Sequence, residues 1–390
     1  MSKKLQKFKY LVFLVNTIYF IFIVKFMGVV PEKFPVQLYE LDFAQFFLCF
    51  LAICILFLFL LYIMVFISVV WHELGHLVFG LKAKLTFISF NVLNYTFCIE
   101  NNKLKLKKGA RIPGVKGYCN MTTEANKKYN ENSIKLYYLG GILFNIILAV
   151  ISMVLIIFTN NIYLKIIYIL NTVINIYVAL YNLIPNIAKS GAVTDGLHVI
   201  YYLDDEEYLN TFSKIQTLQS LLAKGCDLKD IDANLFSKPQ IFKTNSDVTN
   251  AMIYVDYLSS KELYKDASEY AQKILEEAKE LLSKPYRISV KLQLINCIFY
   301  SGDDLEKIKE IWNEEIKKYL DLWGKVGPVY IGINYMYATL VEKSEVNSRK
   351  YLNKFQQLKK KNYDENQIKE TEKLINDVNS RKDRLINDNL

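Results

Sequence analysis

The stretch FAQFFLCFLAICILFLFLLYIMVFISVVWHELGHLVFG, residues 43–80, carries no charged residue from Phe43 to Trp71 and then delivers His72, Glu73 and His76 without a break. About 20 apolar residues cross the hydrocarbon core of a bilayer, so the run reads as a membrane span. Ionisable groups at the end of such a span are costly and are retained for function. On a helix, His72 and His76 project from one face about 40° apart. That is the arrangement by which two imidazoles share a tetrahedral Zn2+, and Glu73 beside them is placed to take a proton from a metal-activated water. Only three of the 390 residues are histidines, and two of them lie in this pentapeptide, so chance placement explains it poorly.

The surrounding composition agrees with a membrane setting. Hydrophobic residues make up 52% of the chain and aromatic residues 14%, high for a chain living wholly in water. Residues 1–185 hold 18 Lys and Arg against 7 Asp and Glu, leaving 30 against 32 for the rest. This basic excess sits in short loops between apolar runs, so it marks topology and excludes nucleic acid as the partner. The six cysteines form no C-x-x-C pair and read as small buried hydrophobes.

Four spans are expected. Tyr10–Val30 follows the basic start MSKKLQKFK, lacks an A-x-A cleavage site and is read as retained, with the N-terminus in the cytoplasm. The run at residues 43–71 is the second. Leu136–Phe158 and Ile166 to about Pro185 are the third and fourth, joined by TNNIYLK as an external turn. Between the second and third, ten Lys and Arg precede Lys135 against three acidic residues, which places this segment in the cytoplasm. Within it LTFISFNV alternates, and YTFCI and KLKLK flank ENN as a hairpin would. A small β-sheet at the membrane surface follows. IPGVKGYC, with Gly114 and Gly117, reads as a loop open to another backbone, where strand addition would hold a peptide extended for the zinc.

After Pro185 the chain passes into helical periodicity, as in KELYKDASEYAQKILEEAKELL. Asp204 and Asp303 stand where N-caps would, and Gly225, Pro285 and Gly302 punctuate. Paired antiparallel helices follow, tetratricopeptide-like without the full signature, suited to gripping a protein partner. The expected architecture is an all-α polytopic membrane protein with about four transmembrane helices, a small membrane-surface β-sheet and a cytoplasmic, repeat-like helical domain. Its parts are an N-terminal anchor and external loop (1–42), a membrane core (43–200) and the helical domain (201–390).

A zinc site needs a third protein ligand, with the fourth position left to water. The last span ends on the same side as His72 and delivers NLIPNIAKSGAVTDGLH, residues 182–198. Asp195 is the carboxylate arriving there, and His198 is the alternative.

His72-Glu73-Leu74-Gly75-His76 in a span, GGILFN (Gly140–Asn145) early in the next, and the run from Asn182 and Pro185 to Asp195-Gly196 together resemble the site-2 protease family of intramembrane zinc metalloproteases. The resemblance covers roughly residues 43–200. It implies His72, His76 and Asp195 as zinc ligands and Glu73 as catalytic base. It sets Asn145 and Asn182 at polar positions near the site, where they hydrogen-bond substrate, orient the reacting carbonyl, or serve as interhelical packing. The chain departs from the family in two ways. Thirteen positions separate Asn182 from Asp195, with NIAKSGAV as a small insertion and Thr194 where members often carry Leu, and no PDZ-like domain lies between the spans.

The implied activity is hydrolysis of membrane-embedded or membrane-associated proteins and peptides near the cytoplasmic side, within the lipid bilayer. The Lys-, Asn- and Ile-rich composition points to AT-rich coding and a bacterial cell membrane. The competing function is a non-proteolytic membrane binding, immunity or transport accessory protein acting through its helical tail. Only the enzyme needs Glu73.

Overall fold

The computed structural model describes residues 43–93, 95–100, 103–108, 115–122, 131–187, 192–202, 206–302, 305–325, 327–360 and 365–387. The span expected at Tyr10–Val30 and the caps expected at Asp204 and Asp303 lie outside these residues. The chain divides into two compact units, one of Met1–Ala83, Glu131–Asn186 and Val193–Asp204, the other of Lys84–Asn130, Ile187–Ala192 and Asp205–Leu390.

The first unit contains α1 (Phe43–Lys82), α2 (Glu131–Phe158) and α3 (Ile162–Leu183), then a short turn Asp195–Leu197 that continues as a π-helical turn His198–Tyr202. Three stretches among the described residues are long and apolar enough to cross a membrane: Cys54–Lys82, Asn132–Phe158 and Ile162–Leu183. Their outward faces carry exposed apolar side chains such as Leu58, Val150 and Phe158, while Ser68, Asn145, Thr172 and Asn175 are buried. Gly75 of α1 faces Gly140 of α2 so closely that a Cβ on Gly75 would lie 2.3 Å from the Gly140 carbonyl oxygen. Small residues at such a crossing let two membrane helices touch backbone to backbone.

Helix α3 begins four residues earlier than the sequence pattern indicates, because the Asn161 side chain caps it by accepting from the backbone N–H of Tyr163 and Leu164. The external turn thereby shrinks to Thr159–Asn161. At the other end Ile184 is extended, with φ −73° and ψ 122°, as a residue before proline prefers.

In the second unit β1 (Thr86–Val92), β2 (Tyr95–Glu100), β3 (Lys103–Lys108) and β4 (Gly117–Thr122) form an antiparallel sheet in the order β3-β2-β1-β4. The hairpin expected of YTFCI and KLKLK is present as β2–β3, and Glu100 extends β2 to stand opposite Lys103. Gly117–Cys119 of the IPGVKGYC stretch open the edge strand β4, with Gly117 opposite Val92 and Cys119 opposite Phe90. Cys119 and Met121 alternate with Asn120 and Thr122, but the stretch is short and opens on glycine, so pairing with β1 decides that it is a strand.

Helices α4 (Glu206–Ala223), α5 (Asn245–Ser260), α6 (Tyr264–Glu277), α7 (Lys284–Ser301), α8 (Glu306–Ile311), α9 (Glu314–Trp323), α10 (Pro328–Met336), α11 (Glu345–Lys359) and α12 (Glu365–Asn387) complete the unit. Thr122 Oγ1 of β4 donates to the Gln216 carbonyl of α4 at 2.8 Å. Gly225 and Gly302 follow α4 and α7 with φ of 91° and 81°, and Pro285 sits in the first turn of α7, as the punctuation indicated. One continuous apolar core runs through Val255, Ile274, Ile295, Ile316, Phe355 and Val378.

Candidate metal centre

Helix α1 carries His72 and His76 one turn apart, both 5% exposed. His76 donates from Nδ1 to the Tyr137 carbonyl oxygen of α2 at 2.8 Å. His72 Nδ1 lies 2.7 Å from Asn145 Oδ1, also of α2. Amide and backbone oxygens can only accept, so both Nδ1 atoms carry the hydrogen and both Nε2 lone pairs turn inward.

Asp195 reaches the same point by a stapled loop. Thr194 Oγ1 donates to the Ile184 carbonyl at 2.7 Å and accepts from the Asn186 backbone N–H at 3.0 Å. The Thr194 backbone N–H donates to the Asn186 carbonyl at 3.1 Å. The thirteen-position separation from Asn182 is thus closed at its stem, and Asp195 follows at once. Gly196 then packs so tightly that a Cβ there would lie 1.8 Å from the Leu183 carbonyl oxygen.

His72 Nε2 lies 3.1 Å and His76 Nε2 3.4 Å from Asp195 Oδ2, and the two Nε2 atoms are 3.2 Å apart. A tetrahedron with bonds of about 2.0–2.1 Å has edges of about 3.3–3.4 Å. Three lone-pair-bearing atoms this close repel one another unless a cation sits among them, and a metal ion satisfies all three together. Among the described residues, this is the group of His, Cys, Asp and Glu side chains placed to hold a metal. A Cβ on Gly141 would lie 2.6 Å from both His76 Nε2 and His72 Cε1, so the bare backbone keeps the approach to the imidazoles open.

The remaining sequence-derived residues fall around this group. Glu73 is buried beside His72. Asn182 is half-buried and donates to the Val178 carbonyl of its own helix at 3.0 Å. His198 stands apart from the converging set: its ring stacks on Tyr138 with centroids 4.1 Å apart, and lost hydration pulls its imidazole down to about 4.

Two residues escaped the sequence reading. Asn145 Nδ2 donates to the Ser68 carbonyl and hydroxyl oxygens, both at 3.0 Å, and to Asn175 Oδ1 at 2.8 Å. A signal was present, because Asn171, Asn175 and Asn182 lie four and seven positions apart, within about 40° of one face of α3. Polar residues so aligned inside a span are uncommon.

A family model described as peptidase family M50 matches residues 60–298, well over half of the chain. No curated protein and no solved structure matches it significantly. The match takes in the histidines, the stapled Asp195, the second half of α1 and the whole of α2 and α3, and the chain belongs to peptidase family M50, the site-2 protease family of membrane metalloproteases.

Proposed function

We propose that the chain is a zinc endopeptidase that cuts membrane-embedded or membrane-associated polypeptides near the cytoplasmic face of a bacterial cell membrane. The observation that carries the reading is the triangle of His72 Nε2, His76 Nε2 and Asp195 Oδ2, with edges of 3.1–3.4 Å. These three are the ligands. Zinc bound there supplies an acidified water and polarises the scissile carbonyl.

Glu73, outside the ligand set, accepts the proton of the attacking water and returns it to the leaving amine. Asn145 holds His72 in its ligating tautomer and is a positioning residue. Asn182, on the face of α3 that runs toward Asp195, hydrogen-bonds the extended substrate backbone. A helical substrate must first unwind, because an intact helix keeps its carbonyls in internal hydrogen bonds.

The cytoplasmic assignment rests on the Lys and Arg bias of the loop after α1. The helices after Asp205 lie on the same side and provide a surface for a protein partner. In this reading the chain has three parts, an N-terminal anchor and external loop (1–42), a membrane core (43–200) and a helical domain (201–390).

The test compares Glu73→Gln with a His72→Ala, His76→Ala double variant. Gln fills the same volume but cannot accept the proton, so Glu73→Gln keeps its zinc while processing of membrane proteins in the producing cells falls by about 100-fold or more. The double variant loses the zinc. Wild-type processing by zinc-loaded Glu73→Gln would return the reading to a non-proteolytic membrane protein.

A further inference from the structure

We propose that Asn175, on α3 and in no contact with the metal ligands through its own hydrogen bonds, is a positioning residue that acts with the Ser68 carbonyl to hold the proton of His72 on Nδ1. The proposal rests on the reading of His72 as a metal ligand.

An asparagine amide can point either way, and its neighbours decide which. Asn175 is settled first. Its Nδ2 donates to the Asn171 backbone oxygen at 2.8 Å and to Asn171 Oδ1 at 3.1 Å. The backbone oxygen can only accept, so Asn175 Oδ1 faces the opposite way. There it accepts from Asn145 Nδ2 at 2.8 Å and from Ser68 Oγ at 2.9 Å.

Asn145 is settled next. Its Nδ2 is held by Asn175 Oδ1 and by the Ser68 backbone oxygen, which leaves Oδ1 to face His72 Nδ1. Flipping Asn145 would set its oxygen against two oxygens. Ser68, Asn145 and Asn175 are all fully buried, so no water relieves such a contact, and an unmade hydrogen bond in a dry interior is expensive. The orientation is therefore set from two sides, by the Ser68 carbonyl and, through Asn175, by the Asn171 carbonyl, and it reaches His72 Nδ1–H so that Nε2 is left to present its lone pair.

The full-length chain has three histidines, so 15N labelling at histidine in detergent-purified, metal-free protein resolves each imidazole and reads its tautomer directly. Wild-type His72 is expected as the Nδ1–H tautomer alone. In Asn175→Leu the Nε2–H tautomer becomes populated, and zinc affinity in competition with a chelator falls about 10- to 100-fold, the usual cost of losing a partner behind a ligand. Asn175→Asp is the rescue. In the protonated acid one oxygen accepts from Asn145 and the O–H donates to Asn171, so the single tautomer returns with an affinity nearer wild type. Thr172→Val removes another buried hydroxyl of α3, one bonded to the Tyr168 carbonyl at 2.8 Å, and should change neither readout.

Three results would overturn the proposal: Asn175→Leu with the wild-type tautomer and affinity, Asn175→Asp no better than Asn175→Leu, or Thr172→Val as damaging as Asn175→Leu. Wild-type protein that takes up no zinc would instead remove the ligand reading of His72, while the tautomer measurement on metal-free protein still answers for Asn175.

Discussion

The two units of this chain are built inside out relative to one another. In the membrane helices Ser68, Asn145 and Asn175 are wholly enclosed, while Ile157 and Phe158 stand 78% and 79% exposed. In the helices after Asp205 the enclosed residues are Val255, Ile274 and Ile316, and the surface carries ion pairs such as Lys284–Glu315 and Arg349–Glu345. Water drives apolar side chains together without regard to direction. Lipid offers no such drive, so the membrane helices find their places through directed hydrogen bonds and close glycine contacts. Substitutions should therefore hurt for different reasons in the two units.

The largest effect is expected from a single methyl group at Gly141. A Cβ there would stand 2.6 Å from His76 Nε2 and His72 Cε1, a distance at which something must move. Moving α2 away would break the close Gly75–Gly140 backbone contact one position earlier, so the imidazoles yield. Gly141→Ala is expected to insert normally and to lose zinc retention by about 10-fold or more in chelator competition, comparable with losing an outer partner of a ligand. Normal retention would mean that packing between these helices is softer than the glycine contacts indicate.

The matching change in the second unit removes bulk. Ile274 is fully buried in the continuous core, and cutting a buried Ile to Ala costs about 2–5 kcal/mol through lost transfer energy and a residual cavity. Ile274→Ala is expected to lower the denaturant midpoint of the full-length chain and leave zinc content untouched. Loss of zinc in this variant would break the contrast between the units.

Much of this division is legible in the sequence. The apolar run ending in HELGH names its own helix and histidines, because four-residue spacing on a helix is a geometric fact that needs no tertiary knowledge. Gly225, Pro285 and Gly302 mark helix ends for equally local reasons. Asp195 could be proposed, but the closing of its loop rests on hydrogen bonds of Thr194 to Ile184 and Asn186, which no local pattern announces. Strand β4 becomes a strand only by pairing with β1. Asn175 belongs to no motif, whereas Asn182, seven residues on and on nearly the same face, stands in the Asn182-to-Pro185 run that carries the family resemblance. What separates them is the partner: Asn175 meets Asn145 across thirty residues, and Asn182 bonds its own helix. Only the packed helices make that choice visible.

The smallest effect concerns a device that works alike in either medium, the helix cap. Thr244 accepts from the Asp247 backbone N–H at 3.1 Å, and Asp247 Oδ2 accepts from the Thr244 backbone N–H at 3.0 Å, a reciprocal box at the start of α5. Thr244 Oγ1 also donates to Glu207 Oε1 of α4 at 2.7 Å. Removing such a hydroxyl costs about 1 kcal/mol, because an N–H at the helix start loses its acceptor. Thr244→Ala is therefore expected to shift the unfolding midpoint by a fraction of the Ile274→Ala shift, with Thr244→Ser close to wild type since serine offers the same oxygen. Asn161 does the same work at the start of α3, accepting from Tyr163 and Leu164 at 2.9 and 3.2 Å. An exposed cap exchanges its bond with water wherever it stands, so Asn161→Ala should cost about the same 1 kcal/mol. A much larger loss at Asn161, read as failure of the chain to insert, would show that the start of α3 lies in lipid and would move the boundary of the membrane outward past this turn.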